Sequence, residues 1–151
     1  MRFETVKDII EVIRQLHEAL SRQYAELEQL TTSERAALML DYLARHERRL
    51  AAALQHYEQD AARGILETWL QYAPELDAAP LVEQVRGTDL NDVEAVVAAA
   101  LAVDEHLLAV YRELEQRAPT DTLREIARSL QQLERNEAQR LARAAFRLRD
   151  Y

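Results

Sequence analysis

Apolar residues return at three- and four-residue steps over most of the chain. Val6, Ile9, Ile10, Ile13, Leu16, Leu20, Tyr24 and Leu27 form the first such stripe, the buried face of an amphipathic helix expected over about 3–29. Thr31, Thr32 and Ser33 can cap the next helix, with Glu34 and Arg35 in its first turn and Met39, Leu43, Leu50, Ala53, Leu54 and Tyr57 as its stripe. That helix should run over 33–62. A third, over 91–117, follows Asn91 as N-cap, carries Val93, Val97, Ala100, Leu107, Tyr111 and Leu114, and stops before Pro119. Thr120 or Asp121 caps a fourth, over 121–149, whose stripe is Leu123, Ile126, Leu130, Leu133, Leu141, Ala144 and Leu148.

Breakers are confined to the middle of the chain. Every Gly and Pro lies between Gly64 and Pro119, so long helices are permitted on either side. The joints within the first and second pairs of helices are only a few residues long, which makes each pair an antiparallel hairpin. The joint between the pairs, about 63–90, is long enough to run the length of a bundle, and Ile65, Leu66, Trp69, Leu70 and Tyr72 make a short helix candidate inside it. The expected fold is all-α: a four-helix bundle of two antiparallel helical hairpins joined by one long crossover, a single domain over 1–151. Trp69 is expected to pack onto the bundle.

The two hairpins repeat. Tyr24 opens YAELEQ and Tyr111 opens YRELEQ, 87 positions later, while Arg49-Leu50-Ala51 matches Arg140-Leu141-Ala142, 91 positions later. The difference of four falls in the turns, where extra length costs little.

Followed through their midpoints, all four stripes meet a polar residue. The seam positions 10, 17 and 24 put His17 inside; 39, 46 and 53 do the same for His46. Positions 97, 104 and 111 bury Asp104, and 130, 137 and 144 bury Glu137, with Glu134 one turn earlier. In an aligned bundle these midpoints share a level. Unpaired charges there would cost several kcal/mol, so the groups must neutralise one another or bind something. Carboxylates facing imidazoles inside a bundle are the ligands of iron, manganese or zinc. Glu18, Glu47 and Glu105, next to those positions, are expected to face water, His56 and His106 to lie off the layer, and Arg45, Arg48 and Arg49 to form a solvated face. Tyr24 and Tyr111 are core aromatics that could also donate hydrogen bonds near a metal.

Over essentially its whole length the sequence resembles the ferritin-like superfamily, and its rubrerythrin-like members most. Their pattern has a Glu seven residues before a Tyr in the first and third helices and Glu-x-x-His in the second and fourth. Here the first pair of positions holds His17 before Tyr24 and Asp104 before Tyr111, the second helix holds Leu43 and His46, and the fourth holds Glu134 and Glu137. The resemblance implies a centre of iron or manganese with an oxidase, peroxidase or metal-handling role. The departures at His17, Leu43 and Glu137 leave one metal held by His17, His46 and Glu134, with Asp104 and Glu137 flanking a weaker second position. No catalytic residue is assigned. The other reading is a metal-free ferritin-like bundle that serves as a protein-interaction or assembly module. A haemerythrin-like site is set aside, because no His-x-x-x-His occurs.

Composition narrows the field further. Absence of cysteine removes disulfides, Cys-ligated zinc, iron–sulfur clusters and thiol catalysis, so redox chemistry would draw on an external electron donor. Nineteen basic against 27 acidic residues give a net charge of -8, which argues against nucleic acid. The N-terminus lacks the apolar run of a signal peptide, and no window has the roughly 18 uncharged apolar residues of a membrane span. A cytoplasmic protein with no membrane partner, assembled as a homodimer, is expected.

Overall fold

The computed structural model describes residues 5–70, 76 and 78–149. Its elements are α1 (Val6–Glu28), α2 (Glu34–Asp60), α3 (Arg63–Leu66), α4 (Ala78–Arg86), α5 (Val93–Gln116) and α6 (Asp121–Arg149). The four long helices match those expected from periodicity, with ends that move by up to three residues. Local chemistry sets those ends. Thr5 and Asp8 form a capping box, the Asp8 amide donating to the Thr5 hydroxyl at 3.3 Å and the Thr5 amide to the Asp8 carboxylate at 2.9 Å. Ser33 caps α2 and Asp92 caps α5. Asn91, expected in the latter role, instead accepts from the Thr31 hydroxyl at 2.7 Å and the Thr32 amide at 3.0 Å. It thereby ties the first hairpin turn to the start of α5.

That tie fixes the topology. The start of α5 lies beside the start of α2, and Arg35 Nε near the start of α2 donates to the Leu148 carbonyl at the end of α6, at 3.1 Å. Helix α2 is therefore parallel to α5 and antiparallel to α6, and the chain between α2 and α5 travels the length of the bundle. It packs on the outside, α3 against α1 and α4 against α1 and α5. The Val6 amide donates to the Thr68 carbonyl at 3.1 Å and closes the far end.

The crossover differs from the expectation. α3 ends at Leu66 rather than running through Leu70, and a second short helix, α4, follows it; Tyr72 falls outside the described residues. Trp69 does not pack onto the bundle but is 68% exposed. Gly64 lies inside α3, and Pro80 sits in the first turn of α4, where a proline is tolerated. Among the described residues no helix is long and apolar enough to cross a membrane.

Candidate metal centre

Each long helix sends at least one ionisable side chain into the middle of the core. His17 comes from α1, His46 and Glu47 from α2, Asp104 from α5 and Glu134 from α6, and none is more than 2% exposed. They sit between layers of Ile13, Leu20, Leu43, Leu50, Val103, Leu107, Leu130 and Leu141, all buried, so water cannot satisfy them. They satisfy one another. His17 Nδ1 lies 2.5 Å from Glu47 Oε2 and its Nε2 lies 2.8 Å from Glu134 Oε1. His46 Nε2 lies 3.2 Å from Asp104 Oδ2, and its Nδ1 lies 3.2 Å from Glu137 Oε2.

The five residues singled out in the sequence thus meet in one layer, but in a different grouping. Glu47 joins its two halves: it bonds to His17, and one donor atom from each of His46, Glu47 and Asp104 lies within 4.8 Å of the others. Glu47 was expected to face water and is fully buried instead. The signal that finds it is in the sequence. Buried positions of α2 come in adjacent pairs, Met39-Leu40, Leu43-Ala44 and Leu50-Ala51, and His46-Glu47 is the pair in phase with them. Such a wide face follows from the position of α2, which packs against α1, α5 and α6 at once. Leu43, where the resemblance would place a carboxylate, is core; Glu47 lies one turn further along the same face.

Glu137 lies at the rim rather than inside. Its side chain is 12% exposed and also accepts from Arg49 Nε at 3.2 Å and Arg140 Nη1 at 3.2 Å. Glu18 and Glu105 do face outward, paired with Arg14 and Arg112, and His56 and His106 are exposed off the layer. Tyr42 stacks on His46 with ring centroids 6.5 Å apart and covers it from outside.

Burial and charge act in opposite directions on these groups. Burial disfavours the charged form of His17, but Glu134 and Glu47 outweigh it and hold its pKa well above the ordinary 6.5. For His46 burial again opposes charge, and the bonds to Asp104 and Glu137 push its pKa up to about 10. Burial raises Asp104 to about 6 in spite of His46. Glu137 is lowered, because His46 and Arg49 overcome its partial burial. Both imidazoles are therefore held toward the protonated form. Burial raises Tyr24 and Tyr111 well above 10, with Glu47 and Asp104 adding to the first and Glu134 to the second. The tyrosines stay neutral.

Spare acceptor capacity remains. Glu47 Oε1 and Glu134 Oε2 are shielded from water and have no hydrogen-bond partner, as do the hydroxyls of Tyr24 and Tyr111. An unsatisfied buried oxygen of this kind costs about 1–3 kcal/mol, more when charged. Carboxylates and imidazoles from four helices, with two carboxylate oxygens unused, fit a divalent cation of the iron or manganese type. A cation there would displace the protons now carried by the imidazoles.

No family model matches the sequence, and no curated protein matches it. Among solved structures, the chain is similar to a Thermotoga maritima protein described as ferritin-like and diiron-carboxylate, whose crystal structure was determined at 2.30 Å. The TM-score is 0.58 at 19% identity, over 96% of this chain and 97% of the other. A likeness that spans both chains end to end, at so low an identity, is a likeness of fold, and the fold of this chain is ferritin-like.

Proposed function

From a ferritin-like fold with an ionisable layer at its centre, we propose that the protein binds a transition-metal ion, iron or manganese, in the bundle core. The observation that carries the reading is the pair of buried, unpartnered carboxylate oxygens on Glu47 and Glu134 in a layer that all four long helices supply. Glu47, His46 and Asp104 would hold the ion, and His17 and Glu134 complete the layer around it. When bound, iron or manganese supplies one-electron chemistry toward dioxygen or peroxide, which makes an oxidase, peroxidase or metal-handling role the one we favour.

The chain's own residues limit that chemistry. Glu47, Asp104 and Glu134 would more than balance the charge of a divalent ion, and the two imidazoles would become neutral by releasing their protons. Buried apolar residues on either side of the layer keep bulk water away from it. Tyr24 and Tyr111 hold hydroxyl protons beside the carboxylates. With no cysteine in the chain, electrons would come from another molecule.

A second reading has its own observation. All four ring nitrogens of His17 and His46 already have carboxylate partners, as a metal-free polar layer that fixes helix register would require. On that reading the bundle is an interaction or assembly module. Elemental analysis decides between them, on protein purified without chelator and again after anaerobic Fe(II) addition, with an absorbance spectrum on exposure to air. About one equivalent of metal per chain in the wild type, lost in Glu47→Gln, is expected. A wild type that holds no metal under either condition overturns the metal reading.

A further inference from the structure

Outside the layer, α2 and α6 line a cleft of about 380 Å³ with Tyr42, Arg45, Arg49, Arg140, Arg143 and Arg147. The two sets share one spacing, 42/45/49 on α2 and 140/143/147 on α6, so each helix presents one face across the cleft. Among the described residues, two acids answer the five arginines. Asp41 pairs with Arg45 at 2.9 Å, and Glu137 is divided between Arg49 and Arg140. Among the described residues Arg143 and Arg147 have no acidic partner, and Arg49 Nη2 is shielded from water without any acceptor. The expectation that Arg45, Arg48 and Arg49 form a solvated face fails for Arg49, whose guanidinium lies 5.3 Å over the Tyr42 ring.

We propose that this cleft is a binding site for a small phosphate-bearing anion. Like charges at three- and four-residue spacing repel along α6, and a chain of net charge -8 supplies no general reason to gather five cations in one place. The negative end of the α6 dipole favours Arg147 in its last turn. It does not reach Arg140, nor Arg45 and Arg49 in the middle of α2. Guanidinium groups that line one cleft from two helices suit the several oxygens of a phosphate, and a charge of two or more answers the surplus of cations. A nucleic-acid strand fits poorly, because the chain as a whole carries a net charge of -8. Glu137, which pairs with Arg49 and Arg140 of the cleft, also bonds to His46, so the cleft adjoins the buried layer without sharing the donors assigned to the metal.

The test is titration calorimetry of the full chain with pyrophosphate, in buffer containing EDTA so that metal plays no part. Saturable one-to-one binding and a raised melting temperature are expected. Arg143→Ala/Arg147→Ala removes two exposed, unpartnered side chains, should fold as the wild type by circular dichroism, and should weaken binding at least about tenfold. Arg22→Ala, on α1, should bind unchanged. The proposal fails if pyrophosphate gives no saturable heat, if sodium chloride of equal ionic strength shifts the melt as much, or if the double variant binds like the wild type. It also fails if a short RNA binds more tightly than pyrophosphate at the same salt.

Discussion

Glu47 is the residue on which the centre turns. It is the partner of His17 at 2.5 Å and lies with His46 and Asp104 around a common point, so its loss leaves a buried imidazolium short of one counter-charge. Removing one member of a buried ion pair costs about 3–5 kcal/mol. Glu47→Ala should lower the unfolding free energy of the metal-free protein by that order, read from urea denaturation. Glu18→Ala, which removes a partner of Arg14 at the surface, should change it by less than about 1 kcal/mol. Equal losses in the two would mean that the buried contact contributes nothing. The same pairs set a pH dependence. His46 is raised to about 10 from an ordinary 6.5, so its contribution is complete below 6.5 and is lost as pH rises through 10. His17, also raised, acts in the same direction. Asp104, an acid raised to about 6 from 3.8, favours the folded state below 3.8 and loses that contribution by about 6. Chelator-treated protein should therefore be less stable at pH 9.5 than at pH 6.5, and a flat or rising denaturation midpoint over that range would contradict the paired layer. Residue identity made His17, His46, Asp104 and Glu134 legible, because each interrupts an apolar stripe. Glu47 escaped a one-position-per-turn seam since it is adjacent to His46, and only the doubled buried face of α2 reveals it.

Elements were legible in proportion to their length. Over more than twenty residues a 3.6-residue period is repeated often enough to be distinctive, and all four long helices were readable in the stripe. α3 has four residues and α4 nine, one turn and two and a half, too few for the period to separate from chance. N-caps show a related limit. Thr31, Thr32, Ser33, Asn91 and Asp92 are all capping types, and which one acts depends on the tertiary contact that occupies Asn91. Where a cap is made within one helix the consequence is local. Thr5 satisfies the Asp8 amide and receives the Asp8 carboxylate in return, while the adjoining Val6 amide bonds to Thr68. Thr5→Ala should cost about 1 kcal/mol. It should also speed amide exchange in the first turn of α1 more than in α2, measured by hydrogen–deuterium exchange. Uniform acceleration across the bundle would place the role of Thr5 in the global fold instead.

At the scale of the whole molecule the central layer joins the two hairpins. α1 and α2 form one tightly packed pair and α5 and α6 the other; His17 to Glu47 lies within the first pair, and the remaining ionisable contacts of the layer run between the two: His17 to Glu134, and His46 to Asp104 and Glu137. An ion held by Glu47, His46 and Asp104 would therefore bind residues of both hairpins, and an unfolded chain could not assemble that set. Binding to the folded state alone stabilises by RT ln(1 + [L]/Kd), about 2.7 kcal/mol at a hundredfold excess over Kd. For a chain of 151 residues that corresponds to a rise in melting temperature of several degrees. Fe(II) or Mn(II) added anaerobically to chelator-treated protein should produce such a rise in one cooperative transition. The rise should grow from pH 6 to pH 8, because the metal competes with protons on His17 and His46. Stability of the metal-free protein runs the other way with pH, so opposite slopes in paired titrations would separate a cation in the core from one at surface acids. A cation bound to surface carboxylates would leave the shift intact in Glu47→Gln and nearly independent of pH above 6, whereas the core site requires Glu47→Gln to abolish it.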